Sequence, residues 1–226
     1  MFNKKAYFIF AIGTDIGKTY IIQQIIKEII FRNIAIQAIK PIASGFLFED
    51  ENSDSVKILK SLGLEVNRKN IENITPYHFS DAVSPNIAAK RNNSKIIFHD
   101  LLTFCQNKIT QSKNNNQILL IEGAGGIMTP INEDKNFLDL AKVLKIPIIL
   151  ITGNYLGSIS HTLTALKAID YCDIEVSGVI LNKSPMIDCN SGIEDLEFVD
   201  IITNFSNKKV FVNYGSFLKD FLDIKF

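Results

Sequence analysis

Apolar runs of strand length alternate with helical periods along most of the chain. Residues 7–12 form a continuous apolar run. Behind it Ile21, Ile22, Ile25, Ile26, Ile29 and Ile30 recur at helical spacing, with Gln23, Gln24, Lys27 and Glu28 on the other face. Residues 34–39 read as a second strand, stopped by Pro41. Further strands are predicted over 117–121, 146–152, 176–181 and 210–212, and helices near 96–109, 136–144, 158–171 and 193–204. The polar stretch 111–116 reads as a surface loop. Strands that are apolar throughout and separated by helices indicate a parallel sheet covered on both faces. The expectation is therefore a mostly parallel α/β sheet of about seven strands. With no linker and no internal repeat, residues 1–226 read as one domain.

Composition narrows the picture. At 226 residues and 46% hydrophobic content, the chain can bury a full core. Lys+Arg and Asp+Glu both total 24, a balance that argues against a nucleic-acid or membrane-surface protein. Cys105, Cys172 and Cys189 match no zinc or redox spacing and read as thiols of a reducing compartment. The basic start and apolar run of the N-terminus lead into Gly-Lys-Thr rather than a cleavage site, so they read as a first strand rather than a signal peptide. No segment reaches the roughly 18 apolar residues of a membrane span. A cytoplasmic protein is expected.

Gly17-Lys18-Thr19 follows the first strand and opens the amphipathic helix. A helix start offers free backbone N–H groups and the positive end of the dipole, which suits phosphate. Gly17 lets the backbone approach the oxygens, Lys18 supplies a point charge, and the Thr19 hydroxyl can ligate Mg²⁺. Ile12 stands at the first Gly position of the strict phosphate-loop pattern. Pairing Gly13-Thr14-Asp15 with the start of a Gly-Thr-Asp-Thr-x-Val-Gly-Lys-Thr loop leaves this loop two residues short. A gapless alignment places Ala11, Thr14 and Ile16 on that pattern's first Gly, second Thr and Val, and it is preferred because it preserves strand length and loop geometry.

Open parallel sheets bind ligands at the carboxyl ends of their strands, where the other polar clusters fall. Lys40 ends the second strand, ahead of Ser44. Alone it reads as a snorkelling side chain; beside a phosphate loop it can reach the same phosphates. Asp54 heads an apparent helix and could equally be an N-cap. Glu122 ends an apolar strand, an expensive place for a carboxylate without a cation or hydrogen bonds to receive it. Mg²⁺ held by Thr19, Asp54 and Glu122 supplies that partner. Gly157 and Ser160 start another helix, whose free N–H groups suit a carboxylate, and Asn182 could read a nucleobase edge or begin a turn. His78, His99 and His161 share no metal-ligand spacing.

Taken together these segments resemble the dethiobiotin synthetase family over most of the chain. The resemblance is carried by Gly17-Lys18-Thr19, Lys40-Pro41-Ile42-Ala43-Ser44-Gly45, Asn52-Ser53-Asp54 and Ser84-Pro85. It continues through Glu122-Gly123-Ala124-Gly125-Gly126, Pro130, Leu156-Gly157 with His161, and Gly178 to Asn182. It implies a P-loop-type fold and a homodimer that joins a diaminopelargonate, CO₂ and ATP into dethiobiotin, ADP and phosphate, without nucleic acid or membrane as partner. It also implies roles. Lys18 and Lys40 are catalytic; Thr19, Asp54 and Glu122 hold Mg²⁺; Asp15, Ile16, Gly17, Lys18, Thr19, Tyr20 and Asn182 hold the nucleotide. Thr14, Ser44 and the backbone of Gly123, Ala124, Gly125 and Gly126 contact the diamine, and Gly157 and Ser160 of the neighbouring subunit receive its carboxylate. Ala11, Ile12, Gly13, Tyr155 and Ser160 depart from the family pattern, and the stretch after Ser184 matches it poorly. The rival readings are a partitioning-type switch ATPase, whose loop carries a further Lys that is missing between Ala11 and Gly17, a corrinoid-type amidotransferring ligase, and a non-catalytic nucleotide binder.

Overall fold

A computed structural model describes residues 6–183 and 192–223; Cys189 lies outside them. In chain order the elements are β1 (Ala6–Ala11), α1 (Lys18–Phe31), β2 (Ile36–Ile39), β3 (Ile42–Ser44), α2 (Asp54–Ser61), α3 (Arg68–Ile74), β4 (Tyr77–Phe79), α4 (Pro85–Arg91) and α5 (Phe98–Asn114). They continue with β5 (Ile118–Gly126), α6 (Phe137–Leu144), β6 (Ile148–Thr152), α7 (Ser158–Tyr171), β7 (Val176–Leu181), α8 (Asp195–Ser206), β8 (Val210–Phe211) and α9 (Tyr214–Asp223).

Six strands form one sheet in the order β2-β5-β1-β6-β7-β8, every pair parallel. β1 is central and buried along its whole length. Its side chains alternate between faces, as the two-residue period of a strand requires. Phe8 and Phe10 stack 4.2 Å apart and meet the edge of Phe137 at the start of α6. Tyr7 points to the opposite layer, edge-on to Phe221 of α9 at 5.1 Å. Aromatic contacts of this kind dock a helix on each face of the sheet. In α1 the residues Ile21, Ile22, Ile25, Ile26 and Ile29 are buried as the sequence spacing predicts, whereas Ile30, grouped with them there, is exposed near the end of the helix. The mostly parallel α/β sheet is thus the predicted one.

Four local differences stand out. The main sheet has six strands among the described residues, and a parallel pair, β3 with β4, stands apart from it. Pro41 ends β2 but does not prevent β3 from forming next to it, because its carbonyl still accepts from Tyr77 N at 3.2 Å. The helix α5 runs on to Asn114, so most of the polar stretch read as a loop is helical; Ser112 anchors it by donating to Ile109 O at 2.9 Å. Finally, β5 continues past Glu122 to Gly126, and its pairing with β1 shifts between Ile9 and Ala11. Glu122, paired with Ile9 just before that irregularity, therefore lies inside the sheet rather than at the end of its strand.

Candidate active site

The chain leaves β1 at Ala11, crosses six residues, 12–17, and enters α1 at Lys18. Gly17 takes φ +93, a left-handed conformation that a side chain strains against. No side chain caps α1, so the N–H groups of its first turn remain available to an anion. Lys18 folds back over the loop, its Nζ donating to Gly13 O at 3.0 Å and to Gly125 O at 2.9 Å. Burial, reinforced by the nearby Lys40 charge, pushes its pKa down to about 8.

Beneath the loop lies a buried charge cluster. Lys40 Nζ, at the carboxyl end of β2, donates to Glu122 Oε1 at 2.7 Å and to Asp54 Oδ2 at 2.5 Å. Thr19 Oγ1 donates to the same Glu122 Oε1 at 2.8 Å. Burial opposes the Lys40 charge, but the two carboxylates outweigh it and hold the ammonium protonated beyond the ordinary lysine range. Burial likewise raises the Glu122 pKa against the pull of Lys40. For Asp54, whose side chain is 42% exposed, the Lys40 charge overcomes burial and the pKa falls. Three residues distant in sequence thus meet at one point, and nothing about folding alone calls for it: a buried ion pair of this kind is weakly stabilising at best.

Glu122 Oε2 is buried and has no hydrogen-bond partner. An orphaned carboxylate oxygen at that depth is costly. Together with Asp54 and the Thr19 hydroxyl it makes a set of hard oxygen donors, which fits a magnesium ion.

These residues line a cleft of about 1860 Å³ at the carboxyl ends of the strands. Of the residues singled out from sequence, Thr14, Asp15, Gly17, Lys18, Thr19, Tyr20, Lys40, Ser44, Asp54, Glu122, Ala124, Gly125 and Asn182 share it. The Ser44 hydroxyl faces it without a protein partner. Ile16, Gly123 and Gly126 stand behind the lining. A Cβ on Gly123 would run into the Phe10 ring, and one on Gly126 would press on Ile12 O at 3.3 Å, so both glycines allow β5 to pass close to β1. Gly157, also at positive φ, and Ser160 sit exposed at the start of α7, outside this cleft. There Tyr155 Oη pairs with His161 Nδ1 at 2.9 Å.

Asn182 takes up a position the sequence left open. Its amide Nδ2 donates to Ile16 O at 2.8 Å, so it braces the phosphate loop from the end of β7. The far wall was not legible in the sequence. Tyr214, Asn213 and Val212 from the turn into α9 line it, with Glu194 and Leu196 at the start of α8. Tyr214 meets Tyr20 edge-on with ring centroids 6.0 Å apart. Lys57, one turn after Asp54, adds a further cation at the rim. In the sequence Val212, Asn213 and Tyr214 carry only their place at or after a predicted strand, and Lys57, Glu194 and Leu196 only their place in predicted helices. Among the described residues no three His, Cys, Asp or Glu side chains cluster as a metal site, and no helix is long and apolar enough to cross a membrane.

Residues 5–212 match the family model described as an AAA domain. The chain is 36% identical over 178 residues to the ATP-dependent dethiobiotin synthetase BioD of Acidiphilium cryptum, covering 78% of each chain. It is also 36% identical over 198 residues to the protein of that name from Legionella pneumophila strain Paris, covering 85% of this chain and 88% of the relative. Among solved structures, the MinD cell division protein of Aquifex aeolicus superimposes with a TM-score of 0.51 at 16% identity, over 98% of this chain and 91% of that one. A ParA family ATPase from Chlorobium tepidum gives 0.50 at 16% identity, over 92% and 82%. At such identity these two show a shared fold alone.

Proposed function

The chain belongs to the ATP-dependent dethiobiotin synthetase family, and on that premise we propose that Lys18 and Lys40 carry the charge of a phosphoryl transfer in the cleft above β1 and β5. The protein is an ATP-dependent ligase of biotin synthesis, turning a diaminopelargonate, CO₂ and ATP into dethiobiotin, ADP and phosphate. One amine of the substrate captures CO₂ as a carbamate. A carbamate oxygen attacks the γ-phosphorus and ADP departs. The second amine then attacks the carbonyl of the mixed anhydride, phosphate leaves, and the ureido ring is closed.

Such a reaction asks a protein for positioning and for neutralisation of developing negative charge, more than for proton transfer. The uncapped start of α1 and the Lys18 ammonium suit the β- and γ-phosphates. Lys40, lining the same cleft, suits the γ-phosphate and the carbamate together. Magnesium, held by Thr19, Asp54 and Glu122, neutralises phosphate oxygens when bound. Thr14, Ser44 and the backbone from Gly123 to Gly126 hold the diamine, while Asp15, Ile16, Gly17, Tyr20 and Asn182 shape the nucleotide side.

We read the chain as a single domain of a cytoplasmic homodimer, with Gly157 and Ser160 of the neighbouring subunit receiving the substrate carboxylate. Their exposure at an uncapped helix start, away from their own subunit's cleft, supports that arrangement.

The observation that carries this reading is the convergence of Lys40, Asp54 and Glu122 on one point beside Lys18. The test is mass detection of dethiobiotin formed by the purified protein from diamine, bicarbonate and Mg–ATP. ATP hydrolysis indifferent to the diamine but stimulated by DNA would instead favour a switch ATPase.

A further inference from the structure

Lys40 stands where a second cation is needed. Its Nζ lies 2.7 Å from Glu122 Oε1 and 2.5 Å from Asp54 Oδ2, and Thr19 Oγ1 donates to that same Oε1 at 2.8 Å. One ammonium therefore engages one oxygen of each carboxylate suited to a hard dication. An ammonium at hydrogen-bond distance from both carboxylates competes with a dication for Glu122 Oε1 and Asp54 Oδ2, leaving it Glu122 Oε2, and the two positive charges repel. Lys40 itself is only 4% exposed, so its charge has no solvent to retreat into.

We infer that Lys40 is a gate on the metal site: while its ammonium bridges the two carboxylates it competes with a divalent ion for them, and it is drawn off when an anion arrives above the loop to receive it. The inference rests on the proposed role of Thr19, Asp54 and Glu122 as metal holders. The incoming nucleotide phosphates are the anion at hand, because Lys18 and the start of α1 border the same cleft. Metal and nucleotide then enter as a coupled pair. The movement that frees the carboxylates also brings the Lys40 charge to the phosphate, where negative charge develops. Glu122 Oε2, unpartnered while Lys40 occupies the other oxygen, gains a use when the exchange takes place.

Binding of Mn²⁺ without nucleotide, followed by the loss of the free-ion paramagnetic resonance signal, tests this. The wild type is expected to bind Mn²⁺ weakly. Lys40→Met should bind it at least tenfold more tightly, and adding Asp54→Asn to that variant should remove the gain. Lys40→Gln, an uncharged amide able to hydrogen-bond both carboxylates, serves as a second variant should the first fold poorly, with the same tightening expected. A melting temperature that climbs with Mg²⁺ in either variant but not in the wild type supports the gate independently. Equal Mn²⁺ affinity in wild type and folded variant overturns it, as does tighter binding that survives Asp54→Asn. Either result leaves dethiobiotin formation by the wild type, the test of the underlying reading, unaffected.

Discussion

The side-chain amide of Asn182 donates to the carbonyl oxygen of Ile16 at 2.8 Å, tying the end of β7 to the loop that precedes α1. One N–H of that amide holds the loop, so loss of the side chain loosens the phosphate grip whatever the base. Asn182→Ala should therefore weaken ATP and GTP alike, raising KM for each by about tenfold through loss of one buried hydrogen bond. Steady-state kinetics with the two nucleotides decide it. A variant that loses discrimination between them, at unchanged ATP affinity, would assign Asn182 to the base instead.

Gly17 has two independent reasons to be glycine. Its φ of +93 penalises any side chain, and a Cβ there would collide with the Asn182 amide. Gly17→Ala is expected to cost about 1–3 kcal/mol. In a chain of this size that lowers the melting temperature by roughly 2–4 °C for each kcal/mol. Because the collision breaks the Asn182 brace, nucleotide binding should fall by more than the stability loss explains. Thermal melting paired with a nucleotide titration measures both.

Lys18 gives the ligand-free protein a signed pH dependence. Its pKa is pushed down from 10.5 to about 8 on folding. Between those values the unfolded chain holds the proton and the folded one does not, so stability rises with pH across that window. Below it both states are charged and the full cost of burying the ammonium is present. Relative to Lys18→Met, the wild type should gain stability from about pH 8 upward, at no more than about 1.4 kcal/mol per pH unit. Denaturant unfolding of both proteins at pH 7, 8.5 and 9.5 measures the difference. A difference that stays flat, or that shrinks as pH rises, contradicts a depressed Lys18.

Tyr214 faces the cleft beside Tyr20, on the wall away from Lys40 and Glu122. A contact remote from the reacting atoms is made equally in ground and transition states. Tyr214→Ala is expected to raise the ATP KM several-fold, with kcat within about twofold of the wild type. A kcat loss of tenfold or more at unchanged KM would place Tyr214 in the chemistry.

How much of this was readable beforehand depends on how local the signal is. The phosphate loop was legible because strand, Gly-Lys-Thr and an isoleucine stripe follow one another within residues 7–30, and each reports its own conformation. Lys40 and Glu122 could be singled out because charge at the end of an apolar strand is expensive and asks for a reason. Their meeting with Asp54 depends on β2 pairing with β5, a contact between residues some 80 positions apart that no local pattern encodes. The β3–β4 pair escaped because three-residue strands carry no period to detect. The helical end of α5 escaped because Gln, Ser, Lys and Asn look the same in helix and loop, and nothing in the sequence announces that Ser112 is buried. Tyr214 and Glu194 escaped for a different reason: nothing in an exposed turn announces which cleft it faces. Asn182 stands out in the sequence as a polar residue after an apolar strand, but its contact with Ile16, 166 positions away, is not encoded locally.

The central claim is that carbamate oxygen reaches phosphorus in the Lys18–Lys40 cleft. Oxygen-18 tracing tests it most directly. In a single turnover with labelled CO₂ in unlabelled water, the account predicts one labelled oxygen in each phosphate released alongside dethiobiotin, with formation of both lost in Lys40→Ala. Unlabelled phosphate, or product formation undiminished in that variant, would contradict it.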